Sequence, residues 1–245
     1  MRAYELFRNP ANAYRGKPFW SWNGLLDPQE IRRQVRILKD MGMGGAFLHS
    51  RVGLETEYLG QDWFDAIRAG VDECRKHDME AWLYDEDRWP SGCAGGLATM
   101  NPAHRQRFLV TEIIPADQYA PTPDQIAAWE AVVTGDRARI IGRLPENAHP
   151  SGEPGRVIIA CRSEMMPCTS YYNGYTYLDT MSAEAVHEFI EITHEAYKHE
   201  IGGAFGKTVP GIFTDEPNMN FNPGDCIPWT DALPGEFEWG KNYPL

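Results

Sequence analysis

The segment EAWLYDED, residues 80–87, carries the strongest signal for the fold. Its first five residues, Glu80 to Tyr84, form a short apolar run that is typical of a buried strand. The run is followed by three consecutive acidic residues, Asp85, Glu86 and Asp87. Three further runs are also followed by polar residues. They are 17–22 before Asn23-Gly24, 44–48 before His49-Ser50-Arg51, and 209–214 before Asp215-Glu216-Pro217.

Amphipathic segments separate these four predicted strands. Asp27 and Pro28 have the pattern of a helix N-terminus, and the apolar residues that follow recur at helical spacing. A second helix is predicted from about residue 62, and a third over 182–202. Strands that alternate with helices predict a parallel sheet with right-handed crossovers.

Two architectures have this element order, a (β/α)8 TIM-type barrel and a doubly wound open sheet. Barrel active sites are built from the C-terminal ends of several strands, and all four predicted strands end in polar residues. An open sheet usually carries a Gly-rich phosphate loop at one switch point, and the sequence has neither G-x-G-x-x-G nor a Walker motif. The pattern therefore favours the α/β barrel.

The predicted barrel is incomplete and interrupted. Residues 1–107 would form its first three β/α units, and 181–217 its third helix and fourth strand. Between them, 108–180 reads as an inserted β-rich subdomain with short strands at 108–114, 138–142 and 157–161. The loop-rich tail, 218–245, shows no confident element. We expect a first half-barrel of about four strands that lacks the C-terminal remainder of its polypeptide and is poorly stable and inactive alone.

Composition excludes several classes of function. The formal net charge of −12 gives no basic footprint for nucleic acid and disfavours anionic membranes. No stretch approaches the roughly 18 apolar residues of a membrane span. The five cysteines form no C-x-x-C pair or zinc-ligand spacing, and Met1–Pro10 has no signal-peptide core. The expected location is the reducing cytoplasm, with no nucleic-acid or membrane partner.

Two acidic segments could carry chemistry. A carboxyl group partly desolvated at the end of an apolar strand, as in Asp215-Glu216, would have the raised pKa that a general acid needs. The alternative for Asp215 is a helix N-cap or turn. The motif YDEDRWPSG, residues 84–92, mixes acids, Arg88 and aromatic rings as sugar sites do. Its alternative is an acidic loop that Arg88 neutralises.

Other polar residues give weaker signals. Trp20 and Trp22 are more often core residues than ligand platforms, and a lone histidine such as His49 is usually structural. Ser and Cys nucleophiles have no support, because no G-x-S-x-G elbow is present. His194 and His199 are predicted on the surface of the third helix, five residues apart, which is not a helical zinc pair.

Four motifs follow one another along the chain: PFWSWNG (18–24), HSR (49–51), YDEDRWPSG (84–92) and FTDEP (213–217). Together they resemble the N-terminal part of the catalytic barrel in glycoside hydrolases of the α-L-rhamnosidase family 106 type. The resemblance extends from about Phe7 to Pro217. It implies a (β/α)8 barrel, hydrolysis of a glycosidic bond with inversion, and Ca²⁺ near the sugar.

The resemblance also implies roles for individual residues. Asp215-Glu216-Pro217 is similar to the Asn-Glu-Pro that ends strand four in many barrel glycosidases, with Asp in place of Asn. By that similarity Glu216 is the candidate general acid, and Glu86 and Asp85 are candidates for a second carboxylate or for hydroxyl and cation binding. The remaining candidates would bind the sugar: Trp22, Asn23, His49, Arg51, Asp87, Trp89 and Asp215.

The leading hypothesis is therefore the catalytic region of a glycoside hydrolase acting on an α-L-rhamnoside-like carbohydrate, with no metal ligand assigned. One alternative is a metal-dependent hydrolase that uses Asp85, Glu86, Asp87 and Asp215 as hard oxygen ligands. A second is a non-catalytic carbohydrate-binding module with the same aromatic and acidic lining.

Overall fold

The computed structural model describes residues 2–145, 149–219 and 227–241. Its strands are β1 (Phe19–Gly24), β2 (Gly45–Leu54), β3 (Glu80–Tyr84), β4 (Arg107–Pro115), β5 (Gln125–Thr134), β6 (Arg137–Arg143), β7 (Val157–Met165), β8 (Ile212–Phe213) and β9 (Ile227–Trp229). Its α-helices are α1 (Arg2–Arg8), α2 (Pro28–Asp40), α3 (Gln61–Lys76), α4 (Ala183–Ile190), α5 (Ala196–Ile201) and α6 (Leu233–Lys241).

The strands form two separate sheets. The first is parallel, with the order β1-β2-β3-β8, and the second has the order β6-β5-β7-β4-β9 with antiparallel pairs. The prediction of a mixed α/β chain with a β-rich insertion is confirmed at this level. The four parallel strands that the sequence predicts are all present, and the described strands form no closed barrel.

Helix α2 begins where the sequence predicts. The Asp27 carboxylate accepts the backbone N–H groups of Gln29 at 2.6 Å and Glu30 at 3.2 Å, and Pro28 occupies the first helical position. These contacts satisfy donors that have no partner inside the helix. The buried side chains of Ile31 and Val35 then fix the face that α2 turns toward the sheet.

The main core fills the space between the parallel sheet and helices α2, α3 and α5. Leu48 and Leu83 point into it from β2 and β3, and Trp22 packs at a ring distance of 5.5 Å from Trp63 of α3. The opposite face of the sheet is aromatic, because alternate strand residues point to opposite sides. Its rings are Phe19, Phe47, His49, Trp82, Tyr84 and Phe213.

The inserted sheet differs from the prediction in two places. Strand β5 was not predicted, because its Ala-rich sequence has low β propensity and gains its structure from pairing with β6 and β7. The tail, expected to lack elements, contains β9, which pairs with β4, and helix α6. The tail therefore completes the inserted sheet.

The third predicted helix is also interrupted. Between α4 and α5, Glu191–Glu195 forms a π-helical turn. Such a turn changes the direction of the side chains that follow it, and it recurs at functional sites. Here it rotates His194 inward, away from the surface position that the sequence predicted.

The described cysteines form no disulfide bond. Cys74, Cys93, Cys161 and Cys168 are free thiols, and Cys226 lies outside the described residues. Across the part of the chain that the structure describes, no helix combines the length and the apolar character that a membrane crossing requires.

Glu73 joins α2 to α3. Its side chain is 5% exposed and lies 2.7 Å from Arg36 Nη1, 2.9 Å from Lys76 Nζ and 3.7 Å from Arg32 Nη1. Burial alone would raise the pKa of Glu73, but hydrogen bonds from Lys76 and Arg36 lower it to about 2. The ionised form is therefore favoured in the folded chain.

We predict that Glu73→Gln lowers the free energy of unfolding at pH 7 by about 1–2 kcal/mol, a value below that of a fully buried ion pair because the cations are partly exposed. The contribution is present above pH 4.5 and is lost as pH falls toward 2, since the folded pKa is the lower one. Urea unfolding at pH 7 and pH 3 measures both. Asp72→Asn, in the exposed pair with Arg75, is the control and should cost less than about 0.5 kcal/mol. Equal losses at both pH values would contradict the assignment.

Candidate active site

The carboxyl ends of the four parallel strands meet at one edge of the sheet, as the strand order requires. The predicted site residues all lie on or directly after these ends, but their exposure differs sharply. Asn23, Arg51 and Glu216 are exposed, and Asp215 and Trp89 are half-buried. The others are buried: Trp22, His49, Asp85, Glu86 and Asp87.

Asp85 joins the ends of β3 and β8. Its carboxylate accepts the hydroxyl of Ser91 at 2.5 Å and that of Thr214 at 2.6 Å. His194 Nε2 lies 3.5 Å from the same carboxylate. Complete burial raises the pKa of Asp85, while these donors act in the opposite direction. The buried Asp85 carboxylate therefore links the end of β3 to the end of β8.

Glu86 is fully buried under the loop that follows β3. Its carboxylate accepts the backbone N–H groups of Asp87 (2.9 Å), Gly92 (3.0 Å), Cys93 (2.9 Å), Ala94 (2.8 Å) and Gly95. Burial raises the pKa of Glu86 to about 7, and the amide hydrogen bonds pull it in the opposite direction. Five donors occupy both oxygens, so this geometry leaves no lone pair directed at a ligand.

Asp87 attaches the inserted subdomain to the sheet. It accepts Ser50 Oγ at 3.2 Å, Arg88 Nε at 2.8 Å and Asn173 Nδ2 at 3.3 Å. The loop after β3 and the inserted subdomain come close together at Gly96, whose φ is +92°. A Cβ at this position would lie 2.4 Å from the carbonyl oxygen of Tyr172. Only glycine fits such a position without a shift of the backbone. Asp87 is therefore placed to clamp two parts of the fold.

Trp22 and His49 do not face solvent at this edge. Trp22 is 2% exposed and belongs to the helix-facing core. His49 is also 2% exposed, and its ring lies 3.9 Å from that of Tyr84. Burial, with a smaller effect from the nearby charge of Arg51, lowers the pKa of His49 to about 4. The ring is therefore neutral at pH 7, and neither side chain is exposed at this edge.

The open part of the edge follows β8. Glu216 has a left-handed backbone, with φ of +45°, and its Oε2 accepts the indole N–H of Trp89 at 3.0 Å. Asp215 Oδ2 accepts the hydroxyl of Tyr84 at 3.2 Å, and its backbone pairs with Ser91. A non-glycine residue with positive φ stores strain, which concentrates at functional sites. Glu216 thus presents a positioned carboxylate to solvent.

Two residues at this edge were not predicted. His194 approaches Asp85 because of the π-helical turn, a backbone feature with no sequence signal. Tyr171, from the insertion, donates its hydroxyl to the carbonyl oxygen of Trp89 at 2.5 Å. The aromatic run Tyr171-Tyr172-Asn173-Gly174-Tyr175 was the available signal for Tyr171, because aromatic residues in a turn-rich segment often bind.

The acids of the 85–87 segment do not fit a calcium site. N–H and O–H donors occupy their oxygens, whereas Ca²⁺ requires several oxygens directed at one point. Within residues 2–145, 149–219 and 227–241, no group of three His, Cys, Asp or Glu side chains is arranged to hold a metal ion.

Comparison with known proteins bears on the fold. The sequence matches no protein-family model, and it matches no curated protein. The solved structure of a rhamnosidase from Novosphingobium sp. PP1Y is similar, with a TM-score of 0.59 and 12% sequence identity over 98% of this chain. The chain spans 41% of the length of that structure. It therefore shares the fold of part of a rhamnosidase.

Glu86 provides a test that separates structure from catalysis. We predict that Glu86→Gln lowers the free energy of unfolding by about 2–4 kcal/mol, because an amide nitrogen would face backbone N–H donors in a buried site. Urea unfolding measures this loss, and the exposed Glu188→Gln on α4 is the matched control. A Glu86→Gln variant of unchanged stability and lost turnover would instead identify a catalytic carboxylate.

Proposed function

We propose that this chain is the catalytic region of a glycoside hydrolase of the α-L-rhamnosidase family 106 type, with Glu216 as its general acid. The observation that carries the proposal is the carboxylate of Glu216, which is exposed at the carboxyl edge of the parallel sheet and held by the Trp89 indole. Carboxyl ends of parallel strands are where α/β sheets and barrels bind their substrates. The fold shared with part of a rhamnosidase supports the reaction class.

In this proposal the sheet is half of a (β/α)8 barrel. Strands β1, β2, β3 and β8 would be its first four strands, and the antiparallel sheet an insertion after the third. The edge strands β1 and β8 are unpaired on their outer sides among the described residues. They would pair with further strands in a complete barrel, since open edges of this kind invite pairing.

The chemistry assigned to the edge is proton donation. Glu216, protonated, would give its proton to the glycosidic oxygen as the bond from that oxygen to the anomeric carbon breaks, while a water molecule bonds to that carbon and gives up a proton to a base. The Trp89 N–H bond at 3.0 Å fixes the direction of the carboxyl group. Asp215, oriented by Tyr84, would accept a sugar hydroxyl, and Asn23 and Arg51 would bind other substrate groups from the exposed ends of β1 and β2.

The remaining predicted residues take supporting roles. Asp85, Glu86 and Asp87 would hold the 88–96 loop, and through it Trp89 and the backbone of Asp215. Hydrogen-bond donors occupy the carboxylate oxygens of Asp85 and Glu86. These donors disfavour either residue as the second catalytic carboxylate. They also disfavour a metal-dependent hydrolase that would use the same cluster as ligands.

We predict that Glu216→Gln in the full-length gene product lowers kcat by about 10²–10⁴-fold on α-L-rhamnosides with poor leaving groups, because proton donation is lost. The loss should be much smaller with a dinitrophenyl leaving group, which departs without a proton. Steady-state kinetics on both substrates measure the difference, and Glu55→Gln, at an exposed residue directly after β2, is the control.

The same variant distinguishes the alternatives. A general acid predicts that Glu216→Gln retains sugar binding while turnover falls. A carbohydrate-binding module predicts no turnover in either protein. Equal losses on good and poor leaving groups would contradict the assignment of Glu216.

A further inference from the structure

The inserted subdomain contributes a ring to the edge of the candidate site. Tyr171 is 39% exposed, and its hydroxyl donates to the Trp89 carbonyl oxygen at 2.5 Å. The Trp89 indole N–H in turn donates to Glu216 at 3.0 Å. The ring of Tyr171 is therefore anchored to the residue that orients the proposed acid.

Arg51 reaches the same edge from β2. It shares a strand face with His49, whose ring lies 3.9 Å from the ring of Tyr84, and the Tyr84 hydroxyl donates to Asp215. Burial raises the pKa of Tyr171, and the positive charges of Arg88 and Arg51 oppose that shift, so both cations act on its hydroxyl. Tyr171 thus connects to Glu216 through Trp89, and Arg51 lies on the strand face whose rings lead through Tyr84 to Asp215.

The two arginines differ in their partners. Arg88 forms an ion pair with Asp87 and a hydrogen bond with Asn173. The guanidinium of Arg51 forms neither an ion pair nor a hydrogen bond with any residue that the structure describes. The net charge of the chain is −12, so acidic residues outnumber the cations that could pair with them. A planar guanidinium without a partner is suited to the carboxylate of a ligand.

We propose that Tyr171 and Arg51 form the leaving-group subsite and that this subsite takes a uronic acid, whose ring stacks on Tyr171 and whose carboxylate binds Arg51. The inference rests on the proposed role of Glu216. A general acid lies against the oxygen of the leaving group, so the residues that surround it contact that group. Sugar rings stack on exposed aromatic faces, and guanidinium binds carboxylate with two parallel hydrogen bonds.

The first experiment compares two substrates of the full-length gene product, α-L-rhamnosyl-glucuronate and α-L-rhamnosyl-glucose. The unmodified protein should show the higher kcat/KM on the acidic substrate, and Arg51→Met should lower the acidic-to-neutral ratio by about 10-fold. Arg139→Met, at an exposed arginine on β6, removes the same charge far from this edge and should leave the ratio unchanged. An unmodified protein without acidic preference overturns the proposal.

Variants of Tyr171 separate stacking from support of the loop. Tyr171→Phe keeps the ring and loses the bond to the Trp89 carbonyl, whereas Tyr171→Ala loses both. Stacking predicts that KM rises about 10-fold in Tyr171→Ala and changes much less in Tyr171→Phe. Equal effects in the two variants would assign Tyr171 to positioning Trp89 and overturn its role in the subsite.

Binding without turnover separates this proposal from the proposed function. Titration of D-glucuronate and D-glucose, followed by NMR, should show tighter binding of the acid that Arg51→Met removes. If that binding is found and no glycoside is hydrolysed, the proposed function fails, and Tyr171 and Arg51 remain a uronate-binding site without the leaving-group role. If rhamnosides are hydrolysed and the two monosaccharides bind alike, the subsite fails and the proposed function stands.

Discussion

The Glu86 carboxylate and the five backbone N–H groups around it are the constraint on which the candidate site depends. A loop that turns back over a sheet exposes several amide donors at once, and each would be costly if buried without an acceptor. One fully buried carboxylate satisfies them all. The loop is thereby fixed above the end of β3, and with it the positions of Trp89 and Ser91.

A second set of hydrogen bonds links the loop after β3 to the end of β8. Ser91 bonds the Asp85 carboxylate through its hydroxyl and the backbone of Asp215 in both directions. Thr214 and His194 reach Asp85 from β8 and from the π-helical turn. Since β8 pairs with β3 through only two residues, these side-chain bonds hold Asp215 and Glu216 where the short strand cannot.

The sequence was sufficient to predict the parallel strands and the edge where polar residues collect, because both follow from local apolar runs and chain order. Exposure of those residues was not predictable. Glu86 is buried with donors from residues 92–95, an arrangement that no periodicity reveals. The same holds for β5, whose pairing comes from its neighbours, and for His194, which a π-helical turn redirects.

The contrast between the two acidic segments has a simple backbone cause. After Asp87 the chain continues into Ser91-Gly92 and Gly95-Gly96, whose N–H groups and hydroxyl turn inward and occupy the carboxylates. After Glu216 comes Pro217, which has no N–H to offer. Among the described residues, the Asp215 carboxylate is bonded by the side chain of Tyr84 and the Glu216 carboxylate by that of Trp89, with one donor each. No donor among the described residues occupies their remaining lone pairs, whereas the carboxylates after β3 are used to hold the loop.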